Sequence, residues 1–202
     1  MKKFLEINNV TFAIGGKNKV NDVNISIEKE GDIICILGPS GIGKTTMLRT
    51  IAGLERINQG EIILKDRIIS SNKIHVEPEK RNIALSFQEN SLFPHYNIEK
   101  NIYLGVKKNL PNNKNLDPKE IIKILNIQNI LLKYPHQISA GEAQRASLAR
   151  SLISQPDLLL LDEPLSNVDQ SFKEDIQVAL KRVLKENKIS TIIVTHDSYE
   201  AF

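Results

Sequence analysis

The segment at residues 38–45 constrains the fold of this 202-residue chain more than any other part of it. Its letters, GPSGIGKT, match G-x-x-x-x-G-K-[ST], a pattern that joins a buried strand to a helix. The flanks agree, because residues 33–37 are wholly apolar and residues 47–54 repeat apolar side chains at helical spacing. The glycines let the backbone turn its N–H groups inward, and the helix start adds partial positive charge. We therefore predict a phosphate-binding loop rather than an ordinary glycine turn.

The lysine and the hydroxyl residue that end this loop suit a phosphate chain and a metal ion. A lysine in this position reaches the β- and γ-phosphates, and the next hydroxyl ligates Mg²⁺. We assign these roles to Lys44 and Thr45. The candidate phosphate-binding residues are Gly38, Pro39, Ser40, Gly41, Ile42, Gly43, Lys44, Thr45 and Thr46.

Two carboxylates follow a second apolar run, the four leucines at 158–161. The end of such a strand, beside the phosphate loop, is where an α/β sheet holds its ligand. We expect Asp162 to lie in the Mg²⁺ shell and Glu163 to polarise an attacking water as general base. The alternative is a plain pair of acids at a strand end. A carboxylate placed for water favours hydrolysis over transfer to the hydroxyl of a second substrate.

The pattern along the chain predicts a β-rich and α/β body with a helical insert. Helix starts are expected at Asp117 and Ser139 and a helix stop at Gly53, while residues 109–115 are polar and predict a surface loop. The run at 33–37 predicts a fully buried strand. Strands are predicted at 4–14, 20–27, 33–37, 61–64, 83–87, 158–161 and 190–195. Helices are predicted from about residue 47 to 54, at 97–106, from 117, from 139 and at about 170–187.

Composition excludes several classes of protein. Hydrophobic residues make up 41% and charged residues 25%, as in soluble globular domains. The single cysteine, Cys35, cannot form an internal disulfide. A formal net charge of +3 with no clustered basic stripe argues against nucleic acid as a partner. No apolar stretch approaches the roughly 18–20 residues that span a bilayer, and the charged residues at the start of the sequence do not predict a secretory signal.

A third segment, ISAGEAQR at 138–145, lies just before the leucine run and resembles the signature motif of ATP-binding cassette (ABC) ATPases. That motif is usually LSGGQ followed by QQR. Gln88 stands where the family has its Q-loop glutamine, Asp169 lies in a segment that looks like the D-loop, and His196 looks like the switch histidine. Each match alone is weak, and a surface glutamine or a strand-end histidine is the alternative. Five motifs in the right order, over almost the whole chain, are specific.

The resemblance implies a fold and a mechanism. The fold would be α/β, a P-loop NTPase core with an N-terminal antiparallel β subdomain and an inserted α-helical subdomain. ATP with Mg²⁺ would be hydrolysed between two copies of the chain in a head-to-tail homodimer. Gln88 would contact Mg²⁺ and the attacking water, and His196 the γ-phosphate. The residues that would contact ATP across the dimer are Ser139, Gly141, Glu142 and Asp169.

Three positions depart from the family pattern. Ala140 replaces the first signature glycine and adds a methyl group where the backbone should approach phosphate. Glu142 replaces the usual glutamine, which is a smaller change. Ile14 stands where the family stacks an aromatic ring on adenine. Phe12, two residues earlier on the same strand face, is expected to take over that contact.

The family also implies an organisation and partners. We expect one domain at 1–202, with the nucleotide-binding core at 1–88 and 151–202, the helical insert at 89–150, and no C-terminal regulatory domain. The protein would sit at the cytoplasmic face of the inner membrane through permease subunits, and would serve a periplasmic or lipoprotein substrate-binding protein indirectly. Phe93 and Tyr96, in the turn-like segment at 92–96, are candidates for permease docking, although packing in the core is the alternative.

Bacterial importers are the subgroup that the sequence resembles most. The segments at 76–83 and 87–95 are similar to importers of iron(III), thiamine, polyamines, molybdate or sugars, and PEKR at 78–81 favours iron(III). Two other functions stay open. One is a soluble ABC ATPase that acts on nucleic acid or ribosomes, although such proteins usually carry two cassettes or a long coiled coil. The other is a degenerate cassette that binds ATP with little hydrolysis, which Ala140 suggests.

Overall fold

Two four-stranded sheets and five helices form the part of the chain that the computed structural model describes, residues 2–15, 18–87, 92–106, 116–168 and 170–197. The strands are β1 (Leu5–Ile14), β2 (Asn18–Ile27), β3 (Ile33–Leu37), β4 (Gln59–Leu64), β5 (Arg67–Ser71), β6 (Ile83–Ser86), β7 (Leu158–Asp162) and β8 (Ser190–Thr195). The helices are α1 (Lys44–Ala52), α2 (Ile98–Tyr103), α3 (Pro118–Ile124), α4 (Ala140–Ile153) and α5 (Gln170–Glu186). Short 3₁₀ turns lie at Pro78–Lys80, Gln128–Ile130 and Pro135–Gln137.

The first sheet is antiparallel, in the order β2-β1-β4-β5. Strand β5 has no counterpart among the strands predicted from the sequence. It follows β4 through Lys65 and Asp66, which have φ of 49° and 62°. Tight hairpin turns with positive φ are usually marked by asparagine or glycine, and neither residue stands here. The hairpin therefore lacks the signal by which such turns are recognised.

The second sheet is parallel, in the order β3-β8-β7-β6, and helices and the first sheet cover its two faces. The leucines of β7 alternate between two cores. Leu158 and Leu160 pack with α1 and the antiparallel sheet, while Leu159 and Leu161 pack with α4, α5 and the helical segment. Burial on both faces explains why this strand is apolar at every position.

The prediction that strand β3 is fully buried is wrong. Its apolar sequence predicts full burial, but its residues are partly exposed and Leu37 is 52% exposed. The reason is its position, because β3 lies at the edge of the sheet and pairs with β8 on one side within the described residues. The strand still delivers the loop at 38–43 to the carboxyl end of the sheet, where β7 also ends.

The helix starts predicted from the sequence are confirmed. The Asp117 carboxylate accepts a hydrogen bond from Lys119 N at 2.9 Å, and the Ser139 hydroxyl accepts one from Glu142 N at 3.2 Å. Gly53, with φ of 87°, ends α1 as expected. The helix predicted at 97–106 is shorter, since α2 spans Ile98–Tyr103. The loop predicted at 109–115 lies outside the described residues, and the division into core and insert stays a prediction.

No helix among the described residues combines the length and the apolar character needed to cross a membrane.

A buried arginine joins the end of α1 to the antiparallel sheet. Arg81 is 3% exposed, and its guanidinium donates to Ile51 O at 2.9 Å in the last turn of α1. It also donates to Val76 O at 2.7 Å and Ser70 Oγ at 2.9 Å. Burial lowers the pKa of Arg81 to about 10, so the group stays charged at neutral pH. The cation thus lies at the negative end of the helix whose other end follows the phosphate loop.

We expect Arg81→Met to destabilise the fold by about 2–4 kcal/mol, because the buried carbonyls that it satisfies would lose their donor. Urea denaturation measures this change in the free energy of unfolding. Arg67→Met is the matched control, since Arg67 is exposed and makes one long contact, 3.5 Å to Lys80 O. An exposed change of this kind costs about 0.5 kcal/mol or less. Equal losses in the two variants would contradict the role given to Arg81.

Candidate functional site

The loop between β3 and α1 depends on glycine for its shape. Gly41 and Gly43 have φ of 83° and 103°, in the left-handed region that favours glycine. A Cβ on Gly43 would lie 2.6 Å from Cδ1 of Ile14, so this glycine also lets β1 approach the loop. The loop geometry is therefore that expected of a phosphate-binding loop, and Ile14 contacts it directly.

The phosphate loop and the two strand-end carboxylates meet in one cavity of about 190 Å³. This cavity confirms that the two predicted motifs lie together, because the carboxyl ends of β3 and β7 share one edge of the parallel sheet. Ile42 is exposed on the outside of the loop, at 56%. The cavity is lined by Ile14, Ser40, Gly41, Gly43, Lys44, Thr45, Thr46, Asp162 and Glu163.

Lys44 is folded into the loop that it follows. Its side chain is largely buried, and Nζ donates to Gly38 O at 2.6 Å and to Pro39 O at 2.9 Å. An ammonium has three donors and no acceptor, so the loop carbonyls take two of them. The lysine is thereby held over the loop, with donors of the kind that bind phosphate oxygens.

Asp162 is a buried acid beside the hydroxyl of Thr45. Burial raises the pKa of the Asp162 carboxyl above its ordinary value, and the charge of Glu163 adds to this effect. A hydrogen bond from Thr45 and the charge of Lys44 act in the opposite direction. The ionised carboxylate is thus left with a desolvation cost that a bound cation would offset. A carboxylate and a hydroxyl are also the oxygen ligands that Mg²⁺ accepts.

Glu163 and His196 form a hydrogen-bonded pair at the ends of neighbouring strands. Glu163 follows β7 with a left-handed backbone, φ 46°, and its N–H donates to Val194 O on β8 at 2.9 Å. Its Oε1 lies 2.8 Å from Nδ1 of His196, which follows β8. The carboxylate is 10% exposed and the imidazole 55% exposed. The carboxylate therefore opens into the cavity while the histidine holds one of its oxygens.

The signature segment lies at the start of α4 and outside the cavity. Ser139 and Glu142 cap the helix reciprocally, since Ser139 N donates to Glu142 Oε2 at 2.8 Å. This hydrogen bond lowers the pKa of Glu142, which stays ionised at neutral pH. A Cβ on Gly141 would overlap the carbonyl oxygen of Asn167, so the helix touches the backbone that follows β7. Ala140 is exposed and helical, and the fold itself accommodates its methyl group.

The expectation that Phe12 stacks on adenine is wrong. Phe12 is 2% exposed and packs in the core between the antiparallel sheet and α1, so neither face of its ring is open to a base. Ile14 lines the cavity instead, as an aliphatic side chain. Gln88 and Asp169 lie outside the described residues, and their predicted roles stay predictions.

The segment at 92–97 has both buried and exposed residues. Leu92 is buried, Phe93 is 46% exposed, and the rings of Phe93 and Tyr96 lie edge to face with centroids 6.2 Å apart. Asn101 of α2, fully buried, fixes this segment: its amide accepts from Phe93 N at 2.7 Å and donates to Phe93 O and Tyr96 O, both at 3.0 Å. Sequence reasoning missed Asn101. The available signal is an amide on the apolar stripe of a helix, between Ile98 and Ile102.

Gln144 is a second residue whose role sequence reasoning missed. It is 2% exposed, and it connects α4 to the segment that follows β7. The signal was again a polar residue on a buried helix face, here between Ala143 and Ala146.

Comparison with known proteins gives consistent results. The sequence model of the family described as ABC transporter matches residues 20–166. The Fe(3+) ions import ATP-binding protein FbpC of Escherichia coli O157:H7 is 36% identical over 203 residues, which cover 100% of this chain and 57% of the relative. The spermidine/putrescine import ATP-binding protein PotA of Chromobacterium violaceum is 39% identical over 199 residues, which cover 98% of this chain and 54% of the relative. The chain thus spans about half the length of the curated relatives that it matches.

The fold is also similar to a solved structure, the dimeric post-hydrolysis state of the ATP-binding cassette MJ0796 bound to ADP and Pi. The TM-score is 0.79 at 27% sequence identity, and the match covers 98% of this chain and 90% of that one. The predicted architecture, a P-loop NTPase core with an antiparallel sheet and a helical segment, is confirmed.

Proposed function

This chain belongs to the ABC transporter family, and from that premise we propose that it is the ATP-hydrolysing subunit of a bacterial importer. The observation that carries the proposal is the cavity in which the phosphate loop meets Asp162 and Glu163. Its two walls supply the two groups that hydrolysis of a phosphoanhydride needs, cationic donors on one side and carboxylates on the other. The relatives compared above are themselves import ATP-binding proteins by name, which supports the same assignment.

The residues of the cavity fit ATP with Mg²⁺. The loop amides and Lys44 would bind the phosphates, and the hydroxyl of Thr45 with the carboxylate of Asp162 would hold the metal. The raised pKa of Asp162 supports a cation at this position, because desolvation disfavours the charged carboxylate in the absence of one. Bound Mg²⁺ supplies charge neutralisation on the phosphate oxygens. Ile14 would contact the base by apolar packing, in place of an aromatic ring.

Glu163 is the residue that we propose as general base. His196 Nδ1–H donates to Glu163 Oε1, and this bond would orient the carboxylate that accepts the proton of an attacking water. The exposed ring of His196 can reach the γ-phosphate through its other nitrogen. Gln88 would complete the contacts to Mg²⁺ and water.

Two copies of the chain would share each ATP. Ser139, Gly141 and Glu142 do not line the cavity of their own chain, and the signature segment starts a helix on the exposed surface. The partial positive charge of a helix start suits the phosphate of an ATP bound to a second copy. Head-to-tail pairing would bring this segment, with Asp169, over the partner's cavity, as the dimeric state of MJ0796 suggests.

Membrane permease subunits are the partners that we propose for the segment at 92–97. Phe93 exposes an aromatic ring, and Asn101 holds the segment in one shape. The segment also follows Gln88 by a few residues, and Gln88 is the residue that we propose to contact Mg²⁺ and the attacking water. Docking there would place the chain at the cytoplasmic face of the membrane, where it would serve a substrate-binding protein indirectly. The cargo stays a prediction: iron(III) is the candidate, and FbpC and PotA carry different cargoes in their names at similar identity.

Truncation of the two aromatic rings of this segment tests the docking. We expect Phe93→Ala and Tyr96→Ala to weaken assembly by about 2 kcal/mol, the usual cost at an aromatic anchor, which is roughly 30-fold in affinity. Co-purification with the permease encoded beside the gene measures assembly. Phe172→Ala is the control, because Phe172 lies on α5 with a similar exposure of 48%. Normal co-purification of both variants together with a large fall in melting temperature would show that the rings are part of the core.

Phosphate release from ATP by the purified chain tests the proposed activity. We expect release that requires Mg²⁺ and stops when EDTA is added. An ATP-bound chain that releases no phosphate would instead indicate a degenerate cassette.

A further inference from the structure

We propose that Gln144 is a positioning residue that holds the Glu163 turn against the signature helix and so keeps the carboxylate of the general base in place. This inference rests on the proposed function, since it gives a role in hydrolysis to a residue outside the cavity.

The side-chain amide of Gln144 makes three hydrogen bonds to the segment that follows β7. Its Nε2 donates to Glu163 O at 2.8 Å and to Ser166 Oγ at 3.2 Å. Its Oε1 accepts from Asn167 N at 3.0 Å. The assignment of the amide is fixed by these partners, because a carbonyl oxygen needs a donor and a backbone N–H needs an acceptor. Because Gln144 is only 2% exposed, water does not compete for these hydrogen bonds.

These bonds act on a backbone that does not hold its shape by itself. Glu163 has φ of 46°, a left-handed conformation that non-glycine residues rarely keep unless surrounding contacts fix it. Its N–H is bound by Val194 O at 2.9 Å and its carbonyl oxygen by Gln144. Both peptide groups of the residue are therefore held, one by β8 and one by α4. The conformation aims the carboxylate at His196, 2.8 Å away.

The signature helix touches the same segment one turn earlier. A Cβ on Gly141 would overlap the carbonyl oxygen of Asn167, so the two backbones are in contact there. Gly141 and Gln144 are three residues apart and thus lie on one face of α4. Packing at Gly141 fixes the distance between helix and turn, and the amide of Gln144 fixes their register. The Glu163 turn is thereby held against α4 at two points, Gly141 and Gln144.

Two variants separate this role from simple packing. Gln144→Met keeps the length of the side chain and removes all three hydrogen bonds. Gln144→Glu keeps the acceptor for Asn167 N and loses the amide donors to Glu163 O and Ser166 Oγ. Ser151→Ala is the matched control, because Ser151 is buried on the same helix and its hydroxyl donates within α4, to Ser147 O at 3.1 Å.

The test combines hydrogen exchange without nucleotide and steady-state kinetics. We expect both Gln144 variants to increase exchange of the amides at 163–168 about tenfold, and to lower kcat about tenfold while KM for ATP changes less than about threefold. The control should change neither quantity. Unchanged exchange, or raised exchange with normal kcat, would overturn the proposal. If the wild-type chain releases no phosphate, the proposed function fails, and the exchange comparison still decides whether Gln144 holds the turn. If the Met variant does not fold, the Glu variant decides.

Discussion

Replacement of Glu163 by Gln is expected to slow ATP hydrolysis by about 10²–10⁴-fold, the usual contribution of a general base. The amide keeps the size of the side chain and cannot accept the proton of the attacking water. ATP binding should persist, because the loop and Lys44, on the other wall of the cavity, are the groups proposed to hold the phosphates. Phosphate release under single-turnover conditions, with ATP affinity measured by titration, checks both parts.

The control for this variant is Glu186→Gln, which changes the same residue type at the exposed end of α5. It should hydrolyse ATP at the wild-type rate. If Glu163→Gln hydrolyses ATP at the wild-type rate, the carboxylate is not the general base. Its hydrogen bond to His196 would then have a structural role alone.

Replacement of Lys44 by Ala is expected to weaken ATP binding by about 10- to 100-fold. A charge-assisted contact of this kind is worth roughly 1.5–3 kcal/mol, and each 1.4 kcal/mol is about tenfold in affinity. Isothermal titration measures the change, and Lys119→Ala, at an exposed position of α3, is the control.

Lys44 also donates hydrogen bonds to Gly38 O and Pro39 O, so its loss can alter the shape or stability of the loop. The melting temperature is therefore measured for the same variant. Unchanged affinity in a folded Lys44→Ala chain would contradict the assignment of the phosphate loop. A change in affinity that follows the melting temperature would show that the lysine shapes the loop rather than binding the ligand.

Local signals in the sequence predicted the parts of the site that depend on one segment. The glycines of the loop, the leucine run before Asp162 and the cap at Ser139 each act through their own neighbours. The phosphate loop and Asp162 lie in one cavity because two parallel strands end at one edge of a sheet, which the strand pattern also predicts.

The features that were predicted wrongly or missed depend on contacts between distant segments of the chain. The exposure of β3 is set by its edge position, and the burial of Phe12 by α1 packing on β1, and neither follows from the pattern of a single strand. Asn101 and Gln144 each bind backbone groups of another segment, and their partners cannot be named before the fold is known. A polar residue on an apolar helix face signals that such a partner exists without saying which it is.

Light scattering of Glu163→Gln, with and without ATP, most directly tests the central claim that two copies of the chain close over ATP. Slow hydrolysis should let the closed state accumulate. We expect a mass near that of the 22.8 kDa chain without nucleotide, twice that mass with ATP, and a return to the single mass when ATP is removed. A chain that binds ATP and keeps the single mass at every protein concentration would contradict it.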